Sequence, residues 1–186
     1  MTDQTMLYPL NRTLAAVLII DMQQKLLPTV QDSEGCVAAA MRLLEAAAVL
    51  KLPVLAAEQY PAGLGHTDPR VAALLTPSRT FEKKKFSACI EPMVSQLGLL
   101  SRSQIIVAGI ETHVCVQLTV LDLLREGNQV WVCADAVSSR RGVDREIALS
   151  RMSLAGAVVT TTESVIFELL GEAGSDEFKR ILKIVK

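Results

Sequence analysis

Three kinds of side chain able to move protons or form covalent bonds stand at abrupt breaks in this sequence. The apolar stretch Ile105-Ile106-Val107-Ala108 stops at Gly109, and Cys115 follows in what reads as the opening turn of a helix. A helix start aims unpaired N–H groups and a partial positive charge at whatever sits there, which favours thiolate over thiol and leaves donors for an incoming anion. The run Leu14-Ala15-Ala16-Val17-Leu18-Ile19-Ile20 breaks just as sharply at Asp21, and the cations Lys83-Lys84-Lys85 follow the short segment Thr80-Phe81-Glu82. Together these residue types suit acyl transfer. A carboxylate takes the thiol proton, an ammonium stabilises developing charge, and a thiolate attacks a carbonyl whose oxyanion the helix-start N–H groups hold.

Such a grouping needs a scaffold that brings distant segments to one place. Continuous rather than alternating apolarity over 14–20 and 104–110 fits strands buried on both faces, as in a parallel sheet. Further strands are expected at 53–57, 80–82, 129–134 and 157–160. Between them lie helical stretches at 35–50, 69–75, 91–99, 112–125 and 144–154, with one or two closing helices from 163 onward. Strand and helix alternate throughout, which predicts a three-layer α/β/α, Rossmann-like fold with a mostly parallel sheet of about six strands in a single domain, 1–186. In such a sheet the C-terminal ends of neighbouring strands face one crevice, so Asp21, a lysine of 83–85 and Cys115 can meet. The loop 58–67 leaves the same edge, and Gln23, Gln59, Tyr60 and His66 are possible substrate contacts there.

At these residues the chain resembles the isochorismatase-like, or cysteine hydrolase, superfamily. The likeness lies in Ile20-Asp21-Met22-Gln23, in Lys83-Lys84-Lys85-Phe86-Ser87, in Gly109-Ile110-Glu111-Thr112-His113-Val114-Cys115-Val116, and in a Gly-x-x-Val-x-Val-x-x-Asp-Ala echo from Gly127 to Ala136. The pieces run in order from about residue 14 to 160. The resemblance implies a catalytic triad carried onto Asp21, Lys83 and Cys115, with Lys83 chosen over its neighbours because it stands three before the Phe-Ser pair. It also implies a cis peptide at Ile110–Glu111 that turns the N–H groups of Glu111 and Cys115 toward the oxyanion. Members with a nucleophilic cysteine act on amides, so the resemblance implies a hydrolase of a small amide or related acyl compound working through a thioester. Its nicotinamidase branch carries an Asp-x-His metal site near the second strand. The corresponding region here reads Ala57-Glu58-Gln59-Tyr60-Pro61, with only His66 nearby, so neither a metal nor another cofactor is expected.

Other readings compete at each position. Cys115 could be a small core residue, Asp21 a turn or cap, and the lysine run a solvated patch. The protein could then be a non-catalytic binding or scaffold protein, or a redox-sensing thiol protein. His113 lies two residues from Cys115, roughly 200° around a helix, and does not face it. Asp135 reads as structural, Cys36, Cys89 and Cys133 as packing thiols, and Trp131 as core or interface. The 112–125 helix is apolar nearly all round, which predicts burial against a further copy and hence a homo-oligomer.

The totals narrow the partners. A formal net charge of -1, with 19 basic and 20 acidic side chains, offers no field for nucleic acid or anionic lipid. Neither a basic leader nor an apolar run of about 18 residues is present, so a cytoplasmic protein acting on a small molecule is expected.

Overall fold

The two longest apolar runs become the two central strands, because a strand covered on both faces has no side on which a polar residue is tolerated. In the computed structural model, which describes residues 9–186, β1 (Ala15–Ile20) and β4 (Gln104–Ile110) are buried along their whole length. They pair in parallel from Ala15 with Gln104 to Ile20 with Gly109. Strands β2 (Val54–Gln59) and β3 (Thr80–Lys83) extend the sheet on one side. Strands β5 (Gln129–Ser138) and β6 (Val158–Thr160) extend it on the other. The order is β3-β2-β1-β4-β5-β6 and every pair is parallel.

Alternation along β1 feeds two separate cores. Ala15, Val17 and Ile19 join the core shared with α1 (Ser33–Leu50), while Ala16, Leu18 and Ile20 join that on the opposite face. Short helices α2 (Pro61–Leu64) and α3 (Pro69–Ala72) follow β2. The second face is covered by α4 (Glu91–Leu99), α5 (Gln117–Arg125) and α6 (Gly142–Leu154), through Met93, Val120, Leu123 and Met152. The first is completed by α7 (Thr162–Leu170) and α8 (Asp176–Val185). Asp32 starts α1 by accepting from the Gly35 N–H, and a left-handed Lys51 ends it.

Several boundaries differ from the sequence reading. The irregular start expected over 1–13 falls partly outside the described residues. Strand β5 continues to Ser138 rather than ending near Ala134. Val107 pairs with Val132 but Gly109 with Val137, so the extra residues of β5 bulge out opposite Ala108. Asp135 lies in that bulge, which made a continuing strand look finished. Its Oδ1 accepts from the backbone N–H (2.8 Å) and hydroxyl (3.0 Å) of Thr162, the first residue of α7. The loop after β2 also carries more structure than expected, with the turn α2 and an isolated antiparallel bridge between Gln23 and Thr67.

The helix expected at 112–125 is two pieces, a π-helical turn at Thr112–Val116 and then α5. Of its apolar side chains, Val116, Val120 and Leu123 are buried by the chain itself, Val114, Leu121 and Leu124 are covered only in part, and Leu118 is exposed. Exposed apolar side chains also lie along α6, at Val143, Ile147 and Leu154. Trp131, Cys36 and Cys133 are core residues, and Cys89 is half-buried.

Gly109 pairs with Ile20 where there is no room for a side chain. Its φ of +136° belongs to a region that side chains rarely adopt, and a β-carbon there would lie 2.1 Å from the Ile20 carbonyl oxygen. Because backbone cannot swing aside as a side chain can, Gly109→Ala is expected to cost on the order of 3 kcal/mol in urea denaturation. It should also displace Asp21, the residue after Ile20.

Candidate active site

Asp21 leaves β1 in the left-handed region, at φ 53°, a conformation that aspartate tolerates better than most residues. Its own N–H donates to Ala57 O (2.9 Å) and its carbonyl accepts from the Gln23 N–H (2.7 Å), which pins the turn to β2. Lys83 is the last residue of β3, and β2 is the strand between them. The two side chains meet across it. Lys83 Nζ donates to Asp21 Oδ2 at 2.7 Å, and both side chains are fully buried.

The ammonium is held from several directions. Besides Asp21, it donates to Gln59 Oε1 (2.7 Å) and Phe86 O (2.9 Å), which uses its three N–H bonds, and Lys85 O lies at a longer 3.3 Å as a shared acceptor. A buried charge requires such a complete set of acceptors, since an unpaired one would cost several kcal/mol. The Phe86 side chain itself is exposed, so it is this residue's carbonyl that reaches the site.

Asp21 Oδ1, by contrast, is enclosed and makes no hydrogen bond of good geometry. The Cys115 thiol interacts with both Asp21 and Lys83. Burial raises the Asp21 carboxyl above its ordinary value, and the Lys83 charge offsets this only in part. Burial, and then the Asp21 negative charge, pushes the Cys115 thiol up to about 12. The resting group is therefore a thiol, which corrects the expectation of a thiolate favoured by a helix start. In the π turn the Val114 and Val116 N–H groups both donate to the Glu111 carbonyl (3.1 and 3.2 Å), so neither stands free.

The Ile110–Glu111 peptide is cis. The Glu111 carboxylate accepts from the backbone N–H and the Nε of Arg140, both at 3.0 Å. His113 Nδ1 lies 3.0 Å from Ser139 Oγ, so this ring is fastened to the loop after β5 instead of lying on a free surface. The segment carrying Cys115 is thus tied to residues 139 and 140 at two points.

The four possible substrate contacts are placed differently. Gln23 is fully buried, its Nε2 donating to Gln59 O and Gly65 O while its Oε1 accepts from the Gln59 N–H (2.7 Å). No carboxamide N–H remains for a substrate, and the side chain clamps the loop to β2. Gln59 spends its own carboxamide on Lys83 Nζ and Lys84 O. Tyr60 is exposed in a left-handed turn, and its backbone N–H donates to Lys83 O (2.9 Å). His66 pairs with Glu58 at 3.0 Å and opens on a hollow of about 230 Å³, whose lining includes Thr67, Leu75 and Thr80 but none of Asp21, Lys83 and Cys115. Its Glu58 hydrogen bond and charge hold the imidazole above its ordinary value. Among the described residues no group of three or more His, Cys, Asp or Glu is arranged to hold a metal ion.

The all-parallel sheet between two helical layers, with a buried carboxylate–ammonium pair and a thiol at one edge, defines a three-layer α/β protein. The isochorismatase domain matches residues 15–164, and the chain belongs to that family. It is similar to isochorismatase domain-containing protein 1 of Salmo salar, 38% identical over 187 residues, which covers 100% of this chain and 65% of that protein. The chain thus spans just under two thirds of that relative's length. Among solved structures it is similar to the MAR1 ribonuclease from Caenorhabditis elegans, with TM-score 0.91, 38% identity and coverage of 96% of this chain and 92% of that one. YcaC from Pseudomonas aeruginosa, described with hexane-2,5-diol and covalent acrylamide, gives TM-score 0.88 at 28% identity, covering 95% and 91%. The Escherichia coli YcaC gene product, described as an octameric hydrolase of unknown specificity, gives 0.85 at 28% identity, covering 92% and 85%.

Proposed function

We propose that this protein is a cysteine-dependent hydrolase of a small amide or related acyl compound, with Asp21, Lys83 and Cys115 as its catalytic residues. The observation that carries the reading is the Asp21 carboxylate itself. One oxygen is pinned by Lys83, and the other is enclosed without a good hydrogen bond beside the Cys115 thiol. A proton acceptor left unsatisfied in a buried site costs stability and calls for a functional account.

In the proposed cycle Asp21 Oδ1 takes the thiol proton as sulfur bonds to the carbonyl carbon. The carbonyl π electrons move to oxygen, and the N–H groups of Glu111 and Cys115 receive the oxyanion. Lys83 keeps the neighbouring charge balanced. Collapse of the adduct expels the amine, which takes its proton from Asp21 and leaves a thioester on Cys115. Water, deprotonated by Asp21, then attacks the thioester to release the acid and restore the thiol. The covalent acrylamide described in the Pseudomonas YcaC supports a reactive nucleophile in a relative of this fold.

The test is a panel of small amides, ureido compounds and esters read by intact mass. An acyl mass on Cys115 is expected with at least one of them; turnover without any such species would exclude the thioester route. The pH dependence has a definite sign. Asp21 must be ionised to act as a base, and its carboxyl is raised by burial, so kcat/KM is expected to rise with pH along a limb lying above the ordinary carboxylate range. A limb at or below that range would assign the base elsewhere.

A second reading follows from the Caenorhabditis neighbour, described as a ribonuclease. Asp21 and Lys83 could serve as base and cation for attack by an RNA hydroxyl, and Cys115 would then be dispensable. The formal net charge of -1 disfavours it. RNA cleavage by a Cys115→Ala variant would favour it.

We also propose a homo-oligomer, supported by the octameric relative and by the exposed Val143, Ile147 and Leu154 on α6. Light scattering at micromolar concentration tests this. No helix among the described residues is long and apolar enough to cross a membrane.

A further inference from the structure

One fully buried hydroxyl joins the two halves of the site. Thr119 Oγ1 donates to Cys115 O at 2.6 Å and accepts from the Ala88 N–H at 2.8 Å. The first bond spans the junction between the π turn and α5. The second reaches the segment 85–88, where Phe86 O, two residues before Ala88, accepts from Lys83 Nζ. A path of short contacts therefore runs from the ammonium through Phe86 and Ala88 to the Thr119 hydroxyl and the cysteine backbone. Among the described residues, no other side-chain hydrogen bond links the 85–88 segment to the Cys115 turn.

We infer that Thr119 is a positioning residue that sets the distance between the lysine-holding segment and the Cys115 turn. A hydroxyl suits the task because it donates and accepts at once. A threonine held by β-branching in few rotamers keeps both bonds in register with the helix. Ala88 is also buried in the core that contains Cys115 and Val116, and Cys89 Sγ donates to Thr119 O at a longer 3.7 Å. Without the hydroxyl these looser ties remain, but the short bond that fixes the carbonyl capping Lys83 relative to the Cys115 turn is lost. The consequence is for reactivity, because displacement of a reacting group by about 1 Å costs on the order of 100-fold in rate.

This inference rests on the reading of Cys115 as the nucleophile, and the experiment separates the two. Acrylamide is the probe: the sulfur bonds to its terminal carbon and the thiol proton ends on the carbon next to the carbonyl. The second-order rate of addition at Cys115 is measured against pH for the wild type and for Thr119→Val, Thr119→Ala and Thr119→Ser, with folding followed by circular dichroism. Thr119→Val and Thr119→Ala are expected to react at least tenfold more slowly, with a shifted pH profile, and Thr119→Ser to stay within about threefold of the wild type. Wild-type rate and profile in folded Thr119→Val or Thr119→Ala would overturn the proposal.

Where neither variant folds, amide exchange in the wild type decides. The Ala88 N–H is expected to be as protected as those of α5, and rapid exchange would overturn the tie. A wild-type Cys115 no faster than Cys89 would instead remove the nucleophile reading, and the positioning role with it. Cys115→Ala identifies which thiol carries the adduct.

Discussion

Replacing Cys115 with alanine is expected to abolish every covalent acyl or acrylamide adduct at this site and to lower amide turnover by about 10⁴-fold or more. The fold should survive. Cys115 is buried, but losing one sulfur from a small side chain costs only about 1 kcal/mol. The result is therefore a clean separation of activity from stability, measured as turnover against a urea denaturation curve. Full turnover in Cys115→Ala would end the mechanism proposed here. Loss of amide turnover with RNA cleavage retained would assign two chemistries to one carboxylate–ammonium pair.

Breaking that pair has the opposite character, because activity and stability should fall together. Lys83→Met leaves the Asp21 carboxylate enclosed with its main counter-charge gone, and Asp21→Asn leaves the ammonium short of an anionic acceptor. Each is expected to cost about 3–5 kcal/mol, the usual result of leaving one buried charge alone. The double variant Asp21→Asn/Lys83→Met carries neither charge, so its loss should be well below the sum of the single losses. Activity gives no such rescue. Asp21→Asn removes the base and should lower kcat by about 10²- to 10⁴-fold in either background. Additive stability losses in the cycle would show that the two side chains fold as independent groups.

The sequence carried the fold and the site with different clarity. Ala15–Ile20 and Gln104–Ile110 were readable as central strands because both faces demand apolar residues, and the breaks at Asp21 and Gly109 marked the edge where chemistry collects. Family likeness, not spacing, chose Lys83 among three lysines; in the structure it is the one whose position at the end of β3 points inward beside Gln59. The upward shift of the Cys115 thiol was not legible, because a helix start can be judged from residue types whereas desolvation depends on what packs around the sulfur. Gln23 and Gln59 stand out in sequence as possible substrate contacts, but their hydrogen bonds to backbone and to Lys83 were not legible, since carboxamides at a strand edge serve backbone as readily as ligand. The extension of β5 was hidden by a bulge that puts a polar residue inside a strand. Thr119 offered one signal, its position four residues after Cys115, where a hydroxyl reaches back along a helix.

The strand order also dictates when the site comes into being. Asp21 and Lys83 lie on β1 and β3 in the first-made half of the sheet, whereas Cys115 follows β4, which must pair with β1 from the other side. As the chain leaves the ribosome, carboxylate and ammonium can meet before Cys115 has been synthesised. Closing the long separation between Asp21 and Lys83, 62 residues, is paid in loop entropy before β4 returns anything. A chain that ends before β4 can hold the pair without Cys115 beside it, and Cys115 reaches Asp21 only when the central strands pair. On the proposed reading, reactivity toward electrophiles at Cys115 reports the pairing of β4 with β1, and is absent from every fragment that ends before β4.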